Sequence, residues 1–422
     1  MEITREVETG RISGTTLGNV TTGQTYNSKG ELASYTAQYS GNPIFETSYD
    51  RDSLGRITQI NEVVEGRSEK KNYAYDIAGR LWKVWRNDTL TSVYTYDANG
   101  NRIAHITPTS ADSGTYDAQD RLLKYSNSQY LYTTNGELSK KIESNDTTRY
   151  TYDYFGNLIT VILPNKDRID YIIDAKNRRI GKKINGAITR RWIYSGQLSP
   201  IAELDSAGNV TAQFVGGYMS KNGSIYKLIK DHLGSVRLVV DVNTGAIAQK
   251  IDYDEYGNVL SNSNPDFQPF GYAGGIYDQQ TKIVRFGVRD YEPITGRWTV
   301  KDPIGFGGGD QNLYGYVISD PINRIDIYGK QILHILGEIA KEIGRGAVLP
   351  ERCGKEDVLM TPKERADAWN AYLHPELKPN LDAPNPPPTY NPSPEVPDAT
   401  KTPIKPPPPP SQIPPLGSLP PH

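Results

Sequence analysis

Cysteine is almost missing. Cys353 is the only one in 422 residues, which excludes an intrachain disulfide framework. Histidine is nearly as rare, with five residues, and no His-Glu-x-x-His or paired Cys/His motif supplies a metal-ligand set. No motif calls for a metal or any other cofactor. Long apolar runs are lacking too: no window approaches eighteen consecutive apolar residues, so no helical membrane span is expected. The opening Met1-Glu2-Ile3-Thr4-Arg5 has no signal-peptide core, which argues against export by the Sec route. Neither charge sign dominates. Lys plus Arg number 47 against 49 Asp plus Glu, giving a net charge of −2 and no basic footprint for nucleic acid. Phenylalanine is scarce, 7 residues against 29 tyrosines, which fits a curved sheet with a semi-polar inner face better than a dry core.

What the chain has instead is repetition. A Tyr, usually an Asp, two or three linker residues, a Gly, a polar residue and an aliphatic residue recur in order. Tyr49-Asp50 leads to Gly55-Arg56-Ile57, Tyr75-Asp76 to Gly79-Arg80-Leu81, and Tyr96-Asp97 to Gly100-Asn101-Arg102-Ile103. Tyr152-Asp153 leads to Gly156-Asn157-Leu158, and Tyr253-Asp254 to Gly257-Asn258-Val259, with weaker copies at Tyr26, Tyr116, Tyr132 and Asp205. Repetition of this kind means one supersecondary unit stacked many times. Alternation before the Tyr, as in Lys71-Asn72-Tyr73-Ala74-Tyr75, predicts a strand with one buried face. The Asp can accept turn N–H groups, Gly supplies positive φ, and the aliphatic residue re-enters the sheet. Each unit is therefore a hairpin, unstable alone and stabilised by pairing with its neighbours. The tyrosines read as structural. Tyr26 to Leu32 already forms a copy, so the chain is expected to be the C-terminal part, or a truncated version, of a longer array.

Four segments follow from phrasing and composition: repeats over 1–225, a Gly- and aromatic-rich block over 226–329, a helical segment over 330–374 and a tail over 375–422. Ile332, Leu333, Ile335, Leu336, Ile339 and Ile343 lie at helical spacing from Gln331 onward. Thr361-Pro362-Lys363-Glu364 is a capping box that opens a second helix, through about Leu373. The last 48 residues hold 19 of the 30 prolines, a composition that predicts an extended, disordered tail. Its PxxP spacings admit an SH3-type ligand.

The block carries the most specific text: Asp231-His232-Leu233-Gly234-Ser235-Val236-Arg237, Phe286-Gly287-Val288-Arg289-Asp290-Tyr291-Glu292-Pro293, Thr295-Gly296-Arg297-Trp298, Asp302-Pro303-Ile304-Gly305, Asn312-Leu313-Tyr314-Gly315-Tyr316-Val317 and Asp320-Pro321-Ile322-Asn323. It resembles the repeat-associated core of Rhs and YD-repeat proteins, whose relatives include the C components of Tc toxin complexes and the teneurins. The upstream phrases resemble that family's YD repeats, so the likeness covers about residues 20 to 329.

The resemblance implies an all-β fold, a spiral of YD-repeat hairpins forming a curved sheet or a partial or complete hollow shell. It implies a scaffold of a bacterial polymorphic toxin whose cargo is its own C-terminal segment. Secretion outside the Sec route, to the exterior or cell surface, follows from it. So do a secretion apparatus and an immunity protein as partners. It also implies one enzymatic act, aspartyl-type cleavage of the chain itself within Gly329 to His334. Arg289, Asp302 and Asp326 occupy the matching positions. The last Asp-Pro-x-Gly is here Asp326-Ile327-Tyr328-Gly329, without its proline, and Glu292 stands where Asp is usual. Two carboxylates sharing a proton can activate water and protonate a leaving group, and a cation can stabilise the oxyanion. Turn aspartates with a structural arginine fit the same residues.

Two other readings stay open. Exposed tyrosines on a sheet could bind glycans or a protein. Residues 330–374 could be an effector, although His334, Glu338, His374 and Cys353 form no recognisable site. His232, beside Asp231, reads as a hydrogen-bonded turn histidine.

Overall fold

In the computed structural model of the protein, residues 1–334 are described. Between Glu2 and Asn262 the chain forms twenty-six strands in a single open sheet. Each strand pairs antiparallel with the one that follows it, from Glu2–Arg5 with Ile12–Leu17 through to Ile247–Tyr253 with Val259–Asn262. First and last strands are not paired to each other among the described residues, so the sheet is not a closed barrel. No helix among the described residues is long and apolar enough to cross a membrane. The expected all-β repeat sheet is what the chain forms.

The repeated phrase folds as expected, with a device that composition does not reveal. In the copy at Asp76, one carboxylate oxygen accepts the N–H of Ala78 and of Arg80, each at 2.9 Å, and the other accepts Arg80 Nε at 2.7 Å. Asp76 N–H bonds the Arg80 carbonyl, Gly79 N–H bonds the Asp76 carbonyl, and Gly79 has φ +82°. The same pattern recurs at Asp97, Asp117, Asp153, Asp174, Asp205, Asp231 and Asp254. Where glycine is replaced, Asp120 and Asn177 take the left-handed conformation, which those residue types tolerate. A bulge adjoins each of these turns, its extra residue on the returning strand, for example Trp82 opposite Ala74/Tyr75 and Ile159 opposite Thr151/Tyr152, and adds local twist to the sheet.

In several copies the tyrosine before the turn reaches back to the preceding repeat, a bond that the buried hydroxyls of Tyr152 and Tyr253 do not make. Tyr75 donates its hydroxyl to the Ile57 carbonyl at 2.6 Å, Tyr96 to Leu81 at 2.7 Å, Tyr116 to Arg102 at 2.8 Å and Tyr194 to Arg179 at 2.8 Å. The turn arginine of one copy covers the tyrosine of the next, with Arg56 4.6 Å from the Tyr75 ring and Arg80 4.9 Å from Tyr96. In the copy read from sequence as Tyr49-Asp50, the turn acid is Asp52, which caps Leu54 and Arg56 N–H, while Asp50 lies on the strand. Arg51 takes the tyrosine's place there, donating to the Leu32 carbonyl at 2.8 Å.

Residues 270–325 lie against the inner face of this sheet. Their small sheet of Ile276–Tyr277, Val284–Phe286, Arg289–Glu292 and Arg297–Trp298 packs Phe286, Tyr291, Trp298 and Tyr316 into one aromatic cluster. Polar keys hold it to the repeats: Arg297 to Asn101 at 2.8 Å, Arg285 to Asn157 at 2.7 Å, and Asn323 Oδ1 to Ile57 N–H at 2.8 Å. His232 is structural, bonded to the Ile322 carbonyl at 3.0 Å and packed on Tyr49. Early and late strands of the sheet meet where Arg237, on Val236–Asp241, pairs with Glu62, on Ile57–Val64, at 2.7 Å.

The helix expected from Gln331 does not begin there. Leu333–His334 is a strand paired with Arg324–Ile325, because Ile332 and Leu333 pack against the aromatic cluster while their backbone completes an edge. The remainder of that stripe, the capping box and the proline-rich tail lie outside the described residues.

Two predictions follow from the interior. Tyr96→Phe removes two hydrogen bonds of 2.7 Å, one to the Leu81 carbonyl and one with the Tyr256 hydroxyl. The expected cost is about 1–3 kcal/mol in urea unfolding. Asp320, hydrogen-bonded to Asn323 and ion-paired with Arg324 at 3.5 Å, is pushed up to about 6 by burial. A carboxyl raised in the folded state stabilises fully below its unfolded pKa, and that stability is lost as pH rises through the folded value. Relative to the wild type, Asp320→Asn is therefore expected to gain about 1–2 kcal/mol between pH 5 and 7.5 in denaturant titrations.

Candidate active site at the end of the core block

Arg289, Asp302 and Asp326 come from three separate segments and meet. Arg289 lies on the strand Arg289–Glu292, Asp302 opens the Pro303-Ile304-Gly305 turn, and Asp326 follows the short strand Arg324–Ile325. One guanidinium nitrogen, Arg289 Nη2, stands 2.7 Å from Asp302 Oδ2 and 2.9 Å from Asp326 Oδ2. Arg289 and Asp326 are buried, Asp326 with only 2 % of its side chain exposed, and Asp302 is partly buried. The face of Trp298, 4.0 Å from the guanidinium carbon, and the Leu313 carbonyl at 3.4 Å fix the arginine's plane.

Both carboxyls are raised above the usual carboxylate range by burial, against the pull of Arg289, and burial lowers Arg289 itself. The charge count agrees. Within this trio two ionised acids would leave one net negative charge and a single shared proton none, although Lys330 also favours ionised Asp302.

The remaining contacts converge on one peptide bond. Arg289 Nε donates to the Gly329 carbonyl at 2.6 Å, and Asp326 Oδ1 accepts the N–H of Lys330 at 3.0 Å and of Gln331 at 3.1 Å. The cation therefore sits on the carbonyl oxygen and an acid on the nitrogen of Gly329–Lys330. Gly329 is tightly enclosed: at φ +66°, an added Cβ would lie 2.5 Å from the Phe286 carbonyl oxygen and 2.9 Å from Arg289 N. Gly308 admits the other acid, since a Cβ there would lie 2.6 Å from Asp302 Oδ2 and 2.9 Å from the Lys330 carbonyl oxygen.

Loss of the proline leaves the turn closed by the Asp326 carboxylate, and Ile327 packs on the aromatic cluster instead. Glu292 is not at the site; it accepts Thr295 Oγ1 at 2.8 Å and pairs with Lys141 at 3.6 Å. Trp298 has no role in the sequence reading, Gly308 does not figure in it, and Gly329 enters only as the start of the cleavage window. Only their mutual distances assign one. No group of His, Cys, Asp and Glu suited to a metal occurs among the described residues. The side chain of His334, together with Cys353 and His374, lies outside them.

The teneurin YD-shell family model matches residues 1–322, and the chain belongs to that family of YD-repeat shell proteins. It is 28% identical to Teneurin-3 of Danio rerio over 306 residues, which covers 65% of this chain and 11% of the relative. Similarity to the tRNA nuclease WapA of Bacillus subtilis is 29% over 270 residues, 60% of this chain and 11% of that one. Among solved structures, the TcdB2-TccC3 crystal structure shares the fold, with TM-score 0.64 and 20% identity, covering 78% of this chain and 19% of its own. The chain thus spans about a tenth of those curated relatives and about a fifth of the solved one.

Proposed function

We propose that this shell-type scaffold presents its own C-terminal segment and cuts itself once, at Gly329–Lys330. The shell or scaffold role follows the fold. The cutting rests on one observation, the convergence of Arg289, Asp302 and Asp326 on a single peptide bond. In the proposed step Asp302, ionised, takes a proton from water, whose oxygen bonds to the Gly329 carbonyl carbon. Arg289 Nε holds the oxyanion that forms. Asp326, protonated, gives its proton to the Lys330 nitrogen as the C–N bond breaks. The products are a Gly329 carboxylate and a Lys330 amine. Residues beyond Lys330 are the cargo in this reading, export avoids the Sec route, and a second shell component is a fitting partner. The similar solved structure, TcdB2-TccC3, carries two component names.

The glycan-platform reading has little support, since Tyr154 is the only fully exposed tyrosine among the described residues.

Intact mass and N-terminal sequencing of the purified chain test the proposal. A fragment beginning at Lys330 is expected, and Asp302→Asn or Asp326→Asn should slow its appearance by at least about 100-fold. A single 47.0 kDa species, unchanged by either substitution, would overturn it. Gly329→Ala should also abolish cleavage, because its methyl group meets the Phe286 carbonyl. With both acids raised by burial, the shared proton persists to higher pH than on ordinary carboxyls. Cleavage should fall as pH climbs past those values, and a rate still rising into the alkaline range would contradict the shared-proton mechanism.

A further inference from the structure

The first buried position after each turn belongs to an aliphatic residue in most copies: Ile57, Leu81, Leu122, Leu138 and Leu158 are at most 3 % exposed. Arg179 stands at that position in its own copy and is buried as deeply. A guanidinium buried where leucine serves is costly unless its charge is paired. The partner is Asp290, buried in its turn and 2.7 Å from Arg179 Nη2, while the Tyr171 ring covers the guanidinium carbon at 3.5 Å. Asp290 also holds Arg285 at 2.7 Å, and Arg285 donates to Asn157 Oδ1 at 2.7 Å and to the Asn177 carbonyl at 2.9 Å. Arg179, Asn157 and Asn177 belong to the repeats. The wall therefore grips one carboxylate of the core block twice, directly and through Arg285.

That carboxylate sits at the base of the hairpin that carries Arg289. Arg285 and Asp290 are cross-strand partners, and Phe286-Gly287-Val288-Arg289 turns just beyond them. This turn meets the scissile segment: Val288 N–H donates to the Tyr328 carbonyl at 3.1 Å, and Gly287 and Gly329 pack too closely against Tyr328 and Phe286 to admit a Cβ. The Asp290 carbonyl accepts Thr299 N–H at 3.0 Å, on the segment that leads to Asp302. The Thr299 carbonyl in turn accepts Leu138 N–H of the wall at 2.8 Å. Asp290 thus adjoins both Arg289 and the approach to Asp302, while its side chain faces away from the scissile bond, toward Arg179 and Arg285.

We propose that Asp290 is a positioning residue for chain cleavage, clamped by Arg179 of the repeat wall so that Arg289 meets both acids and the Gly329 carbonyl. This role rests on the cut at Gly329–Lys330. It makes cutting depend on contact between wall and core, because the site reaches its working geometry only when Arg179 has closed on Asp290. A misplacement of about 1 Å in such a constellation costs on the order of 100-fold in rate.

The test follows the fragment that begins at Lys330, by mass, after cell-free synthesis of the full chain. At a temperature where circular dichroism reports a folded chain, Arg179→Leu should slow its appearance by about 10- to 100-fold. Arg179→Lys, which keeps a cation for Asp290, should recover part of that loss. A role in packing alone would reverse this order, since leucine suits a buried apolar position better than lysine. Asp290→Asn should also slow cleavage, and the double variant with Arg179→Leu should be no slower than the slower single, because one clamp is lost only once. A wild-type chain that cuts beside a folded Arg179→Leu chain that cuts equally fast overturns the positioning role and leaves the cutting mechanism standing. Multiplied effects in the double variant overturn it too. Should Arg179→Leu not fold, Asp290→Asn decides, and a wild-type rate there overturns the proposal. A wild-type chain that never cuts overturns the cleavage reading and this role with it.

Discussion

The architecture depends on one carboxylate used as a turn. An aspartate that accepts two backbone N–H groups, at the second and fourth residues after it, closes a loop that Gly or Asn alone would leave loose. The same turn sets three further things. It is joined to a bulge on the returning strand, which adds twist to the sheet. It aims the flanking tyrosine at the previous repeat's carbonyl and delivers an aliphatic side chain to the inner face. Strand register is pinned at every second connection, and a slip of one residue would turn that aliphatic set outward. This is why so long a meander stays in order without disulfides or a closed barrel.

Tyrosine rather than phenylalanine serves this design because the hydroxyl has a job. Each ring covers apolar surface, and at Tyr75, Tyr96, Tyr116 and Tyr194 its oxygen donates to a carbonyl of the preceding repeat. Where the position is Arg51, the donor changes but the acceptor does not, so the requirement is for a reach and a hydrogen bond rather than for an aromatic ring. The inner face that results is polar enough to be keyed. Asn101 and Asn157, side chains of the turns themselves, receive Arg297 and Arg285 of the core block.

Local features were legible in the sequence and long-range ones were not. The Asp turn, the strand alternation and the three charged residues at the end of the core block stand in short phrases, so spacing or family likeness finds them. The copy at Asp174 escaped notice because Ile172-Ile173 stands where tyrosine was sought, although its turn bonds are the same. Tyr49-Asp50 misled in the opposite way, since the Tyr-Asp pair lies two residues before the true turn. The stripe from Gln331 has helical spacing, yet Leu333 pairs with Ile325, because packing against the aromatic cluster outweighs propensity. That Arg289 bridges both acids, or that Gly329 is pressed against Phe286, follows from contacts between distant segments. No window of sequence contains them.

Adjacent residues on one strand tie the two charged clusters together. Successive side chains on a strand point to opposite faces, so Arg289 and Asp290 serve different neighbours. Arg289 faces Asp302, Asp326 and the Gly329 carbonyl, while Asp290 faces Arg179 and Arg285. Arg179 belongs to the repeats, Arg285 to the strand alongside, and both grip Asp290 at 2.7 Å. The strand that carries Arg289 is thus anchored from behind by the repeat wall. An arginine that must contact two acids within about 3 Å has little tolerance for movement, and a scaffold that fixes its neighbouring residue supplies that constraint. The charged residue at a position other repeats give to leucine then has a physical reason. Leucine at 179 would pack well, but it could not hold Asp290, and the strand bearing Arg289 would lose its tether to the wall.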